Sequence, residues 1–191
     1  MRIVGGIYKS RQINMPKGVD MRPTQDKVRE AIFNILGDVS EKTVLELFAG
    51  SGAFGIEAIS RGAKSATFVD NNFRCIQTIR SNLEMLDVDR SKYNIIKADA
   101  LMAPSRLAAD GKKFDIVFLD PPYYKDIAKK CLIKIDYYDI LSPVALVLAE
   151  HFKKDALDAQ LKRLLFVDER RYGDTLITIF KSTLKSGPGL A

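Results

Sequence analysis

Asp120-Pro121-Pro122-Tyr123 follows directly on the apolar run Ile116-Val117-Phe118-Leu119. From average residue usage, an Asp-Pro-Pro-aromatic tetrapeptide arises by chance in roughly one chain in several hundred of this length, which makes it the most specific local signal in the sequence. Two prolines stiffen a turn just past the carboxyl end of a strand, the edge at which open α/β sheets bind ligands. An exocyclic amine on a nucleobase is a poor nucleophile because its lone pair is delocalised into the ring. If Asp120 and the Pro121 carbonyl accept its two N–H groups, the nitrogen can pyramidalise and aim its lone pair at a methyl donor, with Tyr123 stacked on the base.

A second constellation lies upstream. Gly50-Ser51-Gly52-Ala53-Phe54-Gly55 is a GxGxxG between the strand-like Val44-Leu45-Glu46-Leu47 and a helical stretch from Ala53 to Arg61. In that setting the glycines permit a tight turn, close approach of a ligand to the backbone and tight packing of helix on strand. Asp70 stands 20 residues after Gly50, at the end of the next strand, where a carboxylate can hold ribose hydroxyls. Both nicotinamide and S-adenosylmethionine carry an adenosine ribose, and three features separate them. Glu46, inside the first strand, suits the ammonium of a methionine moiety and would repel a pyrophosphate. Asp99, in Lys97-Ala98-Asp99-Ala100, can read an adenine amine. The end of the chain reads as an antiparallel hairpin, which is foreign to the six parallel strands of the nicotinamide fold.

Other chemistries find little support. Cys75 and Cys131 have no CxxC spacing and, with the single histidine His151, cannot supply a Cys/His zinc site, so no metal is expected. Neither cysteine follows a proline at a strand end, and one histidine supports no Ser/His/Asp arrangement. His151 reads as a structural strand-end residue. Lys112-Lys113, Lys129-Lys130 and Lys153-Lys154 read as solvated faces, while Lys125, two residues past the tetrapeptide, is placed to touch phosphate.

The elements that must position these residues follow from the apolar pattern. Strands are expected at Thr43 to Leu47, Ala66 to Val69, Tyr93 to Lys97, Asp115 to Leu119 and Val144 to Ala149, with helices between them, which implies a parallel sheet covered on both faces. Leu164 to Arg171 and Thr175 to Phe180 are separated only by Tyr172-Gly173-Asp174, too short for a parallel crossover, so one of seven strands should be reversed. Arg2 to Tyr8 and Gln12 to Met15 are expected as two short strands around Lys9-Ser10. Thr24 is expected to cap a helix whose Val28, Ala31, Ile32, Ile35 and Leu36 face the core and which Gly37 ends. The organisation expected is a β-hairpin extension over 1–22, a Rossmann-like α/β domain over 23–181 and a frayed tail over 182–191.

With 191 residues, 47% of them hydrophobic and 28% charged, the chain has globular composition, long enough to bury roughly 70% of its unfolded surface without staples. Its longest purely apolar run, Val144 to Ala149, is far short of the roughly 20 residues of a membrane span. No membrane association is expected, and the cysteine usage points to a reducing cytoplasmic setting. The formal charge is +6, and residues 1–30 hold seven bases against three acids, which points to an anionic partner.

The residues now quoted resemble a family. Leu45-Glu46-Leu47-Phe48-Ala49-Gly50-Ser51-Gly52 with Asp120-Pro121-Pro122-Tyr123 resembles the class I S-adenosylmethionine-dependent methyltransferases that modify exocyclic amines. Arg2-Ile3-Val4-Gly5-Gly6, Arg22-Pro23-Thr24, Arg29-Glu30-Ala31-Ile32-Phe33-Asn34-Ile35-Leu36 and Tyr172-Gly173-Asp174-Thr175 resemble one branch, the bacterial RsmD-type family, which methylates guanine N2 in 16S ribosomal RNA. The similarity covers about residues 1–181. It implies cofactor contacts at Glu46, Phe48, Ala49, Gly50, Ser51, Gly52 and Gly55, at Asp70 with Asn71, and at Asp99 with Ala100. Catalysis would lie at Asp120, Pro121, Pro122 and Tyr123. Arg22 and Thr24 would sit near the cofactor or target base; by charge and position, Arg2, Lys9, Arg11, Lys17 and Lys125 are expected to hold ribosomal RNA, free or in an assembling small subunit, and a monomer is expected. Tyr123 stands where the family often has Phe, and Tyr is equally at home in adenine-N6 enzymes; Asp70 stands where many members have Glu. Adenine-N6 methylation, an RNA-binding protein without catalysis, and nicotinamide-dependent oxidoreduction are the alternative readings.

Overall fold

A computed structural model describes residues 1–19, 26–122, 126–155, 157 and 160–183. The first 19 residues hold no strand: the two expected there shrink to one antiparallel bridge, Arg2 with Gln12. Three more backbone hydrogen bonds close the loop, from Ile3 to Arg11, Ser10 to Ile3 and Ile13 to Met1. Regular pairing stops because the tip turns through Gly5 to Ser10, with Gly6 at φ 74° and Ser10 at φ 68°.

The elements that follow are α1 (Asp26–Leu36), β1 (Thr43–Leu47), α2 (Ala53–Ser60), β2 (Ser65–Asp70), α3 (Phe73–Met85), a 3₁₀ turn (Arg90–Lys92), β3 (Tyr93–Lys97), α4 (Ala103–Ala109), β4 (Phe114–Leu119), α5 (Ile127–Tyr137), β5 (Leu141–Phe152), β6 (Leu164–Tyr172) and β7 (Thr175–Ser182). The seven strands form one sheet in the order β3-β2-β1-β4-β5-β7-β6. By compactness the chain comprises two units, Met1–Asp99 and Ala100–Ala191.

In the first unit β1, β2 and β3 run parallel, with Glu46 opposite Phe68 and Asp70 opposite Lys97. β1 is buried along nearly its whole length, which is why it reads as a continuous apolar run rather than an alternation. Helix α1 buries Val28, Arg29, Ile32 and Phe33, while Ile35 is 36% exposed. This corrects the face expected from apolar periodicity, which counted Ala31, Ile35 and Leu36 and left out Phe33 and Arg29. The face rotates because Phe33 stacks on Phe54 of α2 at 4.9 Å, with the Arg61 guanidinium 4.7 Å from the Phe33 centroid. Gly37, at φ 67°, ends the helix as expected, its N–H bonding to the Phe33 carbonyl.

In the second unit β4 runs parallel to β5, and β7 is antiparallel to both β5 and β6, so β7 is the one reversed strand. β5 is twice the expected length. It absorbs Pro143 where the pairing with β4 jumps from Phe114↔Leu141 to Ile116↔Leu146, an irregularity that spares the proline a ladder donor. At its other end β5 pairs with β7 out to Phe152↔Thr175. Gly173, at φ 65°, supplies the tight β6–β7 turn. Asp136 fixes the entry to β6, its carboxylate accepting from the backbone N–H groups of Lys162, Arg163 and Leu164.

Candidate active site

The glycine loop leaves the carboxyl end of β1 with three residues at positive φ: Phe48 (59°), Gly50 (54°) and Gly52 (77°). The Ala49 N–H bonds to the Val69 carbonyl, and the Gly50 N–H donates to Asp70 Oδ2 at 2.9 Å. Asp70 Oδ1 accepts from Asn72 N–H at 2.8 Å, and the Asn72 side chain caps α3 through the Arg74 N–H. The half-buried Asp70 therefore ties the loop after β1 to the start of α3, with a carboxylate fixed at the strand end. Asn71, beside it, and Asp99, past β3, are exposed; Ala100 is buried.

Glu46 is buried, and its carboxylate accepts from the N–H groups of Phe54 (3.3 Å) and Gly55 (2.9 Å) in the first turn of α2. Those two bonds and the nearby Arg29 favour the ionised form, but burial outweighs them and pushes the carboxyl up to about 8. Gly55 is required by packing: a Cβ there would lie 2.4 Å from the Phe68 ring and 3.0 Å from Glu46 Oε2. Ser51 is buried, and its carbonyl accepts from Asn82 Nδ2 at 2.9 Å.

Asn82 is a residue that motif reasoning passes over. It is fully buried on α3 and also exchanges two hydrogen bonds with the Asn14 backbone, so one side chain joins the N-terminal segment to the glycine loop. A second junction centres on Glu57 of α2, wholly buried, which accepts from the Val4 N–H, pairs with Arg61 Nε at 2.8 Å and lies 3.6 Å from Arg29 Nε. Arg29 donates in turn to the Arg2 carbonyl and to Asp26. Ser60 completes the set: its carbonyl and hydroxyl receive the Ile7 and Tyr8 N–H groups, and its hydroxyl donates to the Gly5 carbonyl. Apart from the local Glu57–Arg61 and Arg29–Asp26 pairs, these contacts link residues 27 to 68 positions apart, beyond the reach of any local spacing.

Of the basic residues singled out for RNA, Arg2, Lys9, Arg11 and Lys17 are all exposed. Arg2 pairs with Asp26 at 3.3 Å, and Arg11 donates to the Met85 carbonyl. Arg22, Thr24, Tyr123 and Lys125 lie outside the described residues.

In the second unit the half-buried Asp120 follows the last residue of β4, then Pro121 buried and Pro122 exposed. Both prolines line a small hollow with Lys129 and His151. His151 is buried on β5, Nε2 2.8 Å from Thr178 Oγ1 and Nδ1 3.1 Å from the Phe152 carbonyl, and burial lowers its pKa. Cys131 is wholly buried, and burial beside Asp70 raises the Cys75 thiol to about 11, so neither cysteine is poised as a nucleophile.

A seven-stranded sheet with its one reversed strand in a terminal hairpin, a glycine loop after the first strand and an acid at the end of the second together define a class I methyltransferase, the class that takes its methyl group from S-adenosylmethionine. The solved structure of Escherichia coli yhhF superposes with a TM-score of 0.84 at 25% identity, covering 97% of this chain and 99% of that one. The model of the family described as "Conserved hypothetical protein 95" matches residues 1–181, and the chain belongs to that family. YlbH of Bacillus subtilis (strain 168) is 38% identical over 182 residues, 95% of this chain and 98% of its own length. Ribosomal RNA small subunit methyltransferase D of Escherichia coli (strain K12) is 34% identical over 151 residues, 78% and 74% of the two chains.

Proposed function

We propose that this protein transfers a methyl group from S-adenosylmethionine to the exocyclic N2 of a guanine in 16S ribosomal RNA, in the cytoplasm. The observation that carries the reading is that one chain holds both a cofactor-type loop, locked by the Gly50 to Asp70 hydrogen bond, and an Asp-Pro-Pro turn at the carboxyl end of β4. The name of the Escherichia coli relative, a small-subunit rRNA methyltransferase, supports the substrate class.

The residues present fit the cofactor. Asp70, already aligned by two backbone N–H groups, has acceptor capacity left for ribose hydroxyls, and Asp99 offers an exposed carboxylate for the adenine amine. Phe48, Ala49, Gly50, Ser51, Gly52 and Asn71 supply backbone and surface around it. Glu46 is a buried acid whose ionised form a neighbouring ammonium would stabilise. When bound, the cofactor supplies an electrophilic methyl group on a positively charged sulfur.

Asp120 and the Pro121 carbonyl accept the two N–H bonds of the guanine amine, while the two prolines keep both acceptors in place, so that orientation costs little entropy at the moment of reaction. Held in this way, the amine would present its nitrogen lone pair to the methyl group that the cofactor would supply. The surplus proton leaves the nitrogen for Asp120 or water. Tyr123 stacks on the base, which must be unpaired or flipped to reach it. Incubating the purified protein with labelled cofactor and either protein-free 16S rRNA or small subunits, then digesting to nucleosides, tests the reading. Label in N2-methylguanosine is expected; label in N6-methyladenosine, or none, overturns it.

A further inference from the structure

An open groove of about 720 Å³ lies between residues 14–18 and the exposed side of α3. Its lining is unusual in chemistry. Lys17 and Arg74 bring two cations, Asn14, Gln77, Thr78 and Ser81 bring amide and hydroxyl heads, and among the described residues no carboxylate lines it. Arg74, Gln77, Thr78 and Ser81 fall at i, i+3, i+4 and i+7, so they form one stripe along about 10 Å of helix. The other wall is held in place: Arg74 Nη1 donates to the Lys17 and Gly18 carbonyls, Gly18 sits at φ 64° where a Cβ would lie 2.6 Å from that nitrogen, and Asn14 is gripped by Asn82, which also holds the Ser51 carbonyl of the glycine loop.

A solvent-open channel with cations and neutral hydrogen-bonding heads, and with no acid among its described lining residues, offers a phosphodiester chain charge and donors along its length. A compact anion would need convergent donors in an enclosed pocket, whereas this stripe is linear. We infer that the groove holds the sugar-phosphate backbone of the RNA flanking the target nucleotide. This rests on the proposed function and extends it, since it assigns RNA contacts to Arg74, Gln77, Thr78 and Ser81 of the cofactor-binding fold itself. The contacts are to backbone, so they position the strand without reading its sequence.

The test is fluorescence anisotropy with a labelled single-stranded RNA of mixed sequence, with binding of S-adenosylhomocysteine followed by calorimetry on each protein. Gln77→Glu with Ser81→Glu puts two negative charges in the wall without touching the Arg74 tether. It should weaken RNA binding about tenfold at low salt, as two like-charge encounters across water imply, with cofactor affinity unchanged. Arg80→Glu changes net charge equally from an exposed α3 position that does not line the groove, and should cost much less. Lys17→Ala with Arg74→Ala should lower the salt slope of RNA binding by about 1.5. Equal losses in the groove variant and in Arg80→Glu, wild-type RNA binding by the groove variant, or competition by polyglutamate as strong as by RNA would each overturn the assignment. Methyl transfer by the wild type to 16S rRNA is scored separately: groove-dependent RNA binding without transfer leaves the groove standing and removes the activity, and transfer with groove-independent binding does the reverse.

Discussion

Burial holds the Glu46 carboxyl at about 8 against an ordinary 4.5, so the folded protein binds that proton more tightly than the unfolded chain. Its contribution to stability is complete below about 4.5 and is lost as pH rises toward about 8, at up to about 1.4 kcal/mol per pH unit. His151, whose pKa is lowered, acts in the opposite sense, so the informative quantity is the difference between wild type and Glu46→Gln. The melting temperature of the wild type should therefore fall relative to that of Glu46→Gln, which has no proton to lose, from pH 5 to pH 8. The same proton reports on the cofactor: an ammonium beside Glu46 would expel it, so calorimetry at pH 7 in buffers of different ionisation enthalpy should show close to one proton released on S-adenosylmethionine binding, and none for Glu46→Gln. Buffer-independent heats in the wild type would separate Glu46 from the methionine moiety. Asp120 is tested by turnover: Asp120→Ala should lose at least about a hundredfold in methyl transfer with cofactor affinity little changed, Asp120→Asn should fall between, and near-normal turnover of the Ala variant would take the turn after β4 out of the chemistry.

At the scale of elements, the N-terminal loop is held on α2 by contacts that tolerate little. A Cβ on Gly6 would lie 1.8 Å from the Ser60 carbonyl oxygen, at a φ of 74° that itself disfavours a side chain. Gly6→Ala should therefore lift the loop, seen as fast hydrogen exchange at Ile7 and Tyr8 with the sheet amides still protected; unchanged protection would mean that the loop accommodates the methyl. Arg29→Met should cost about 3 to 5 kcal/mol in denaturant unfolding, because it leaves Glu57 buried with Arg61 as its remaining ion partner. A loss under 1 kcal/mol would show that Arg61 suffices. These elements also mark what the sequence revealed. β1, β3, α2, the reversed hairpin and the Gly37 stop follow from local periods and turn residues. The Gly50 and Asp70 constellation follows from spacing. Arg29, Glu57, Ser60 and Asn82 do not, because their roles exist only once segments far apart in the chain meet, and a buried arginine or asparagine is indistinguishable in sequence from a solvated one. Apolar periodicity failed on α1 for that reason: the face is set by an arginine and by a phenylalanine stacking on another helix.

At the scale of the whole molecule, the basic excess of the first 30 residues is not spent uniformly. Arg29 is buried and serves the fold, and Arg2 is partly offset by Asp26, whereas Lys9, Arg11 and Lys17 are exposed on a segment anchored to α2 and α3 by Ser60, Glu57 and Asn82. Phosphate contacts need charge held in a fixed place but no particular base, and an anchored basic segment meets that need better than a free tail would. Replacing Arg2, Lys9, Arg11 and Lys17 together by Ala should lower the salt slope of RNA binding by about 3, at roughly 0.7 to 0.9 per lost contact, with Arg2 contributing least. Restoring Arg2 alone should recover little, and restoring Lys17 alone should recover close to one contact. Cofactor affinity should stay at the wild-type value, because the four side chains lie outside the loop that Gly50, Asp70 and Asn82 lock together. If the quadruple variant keeps the wild-type affinity and slope, the charge of this segment serves solubility and other basic residues of the chain carry the RNA.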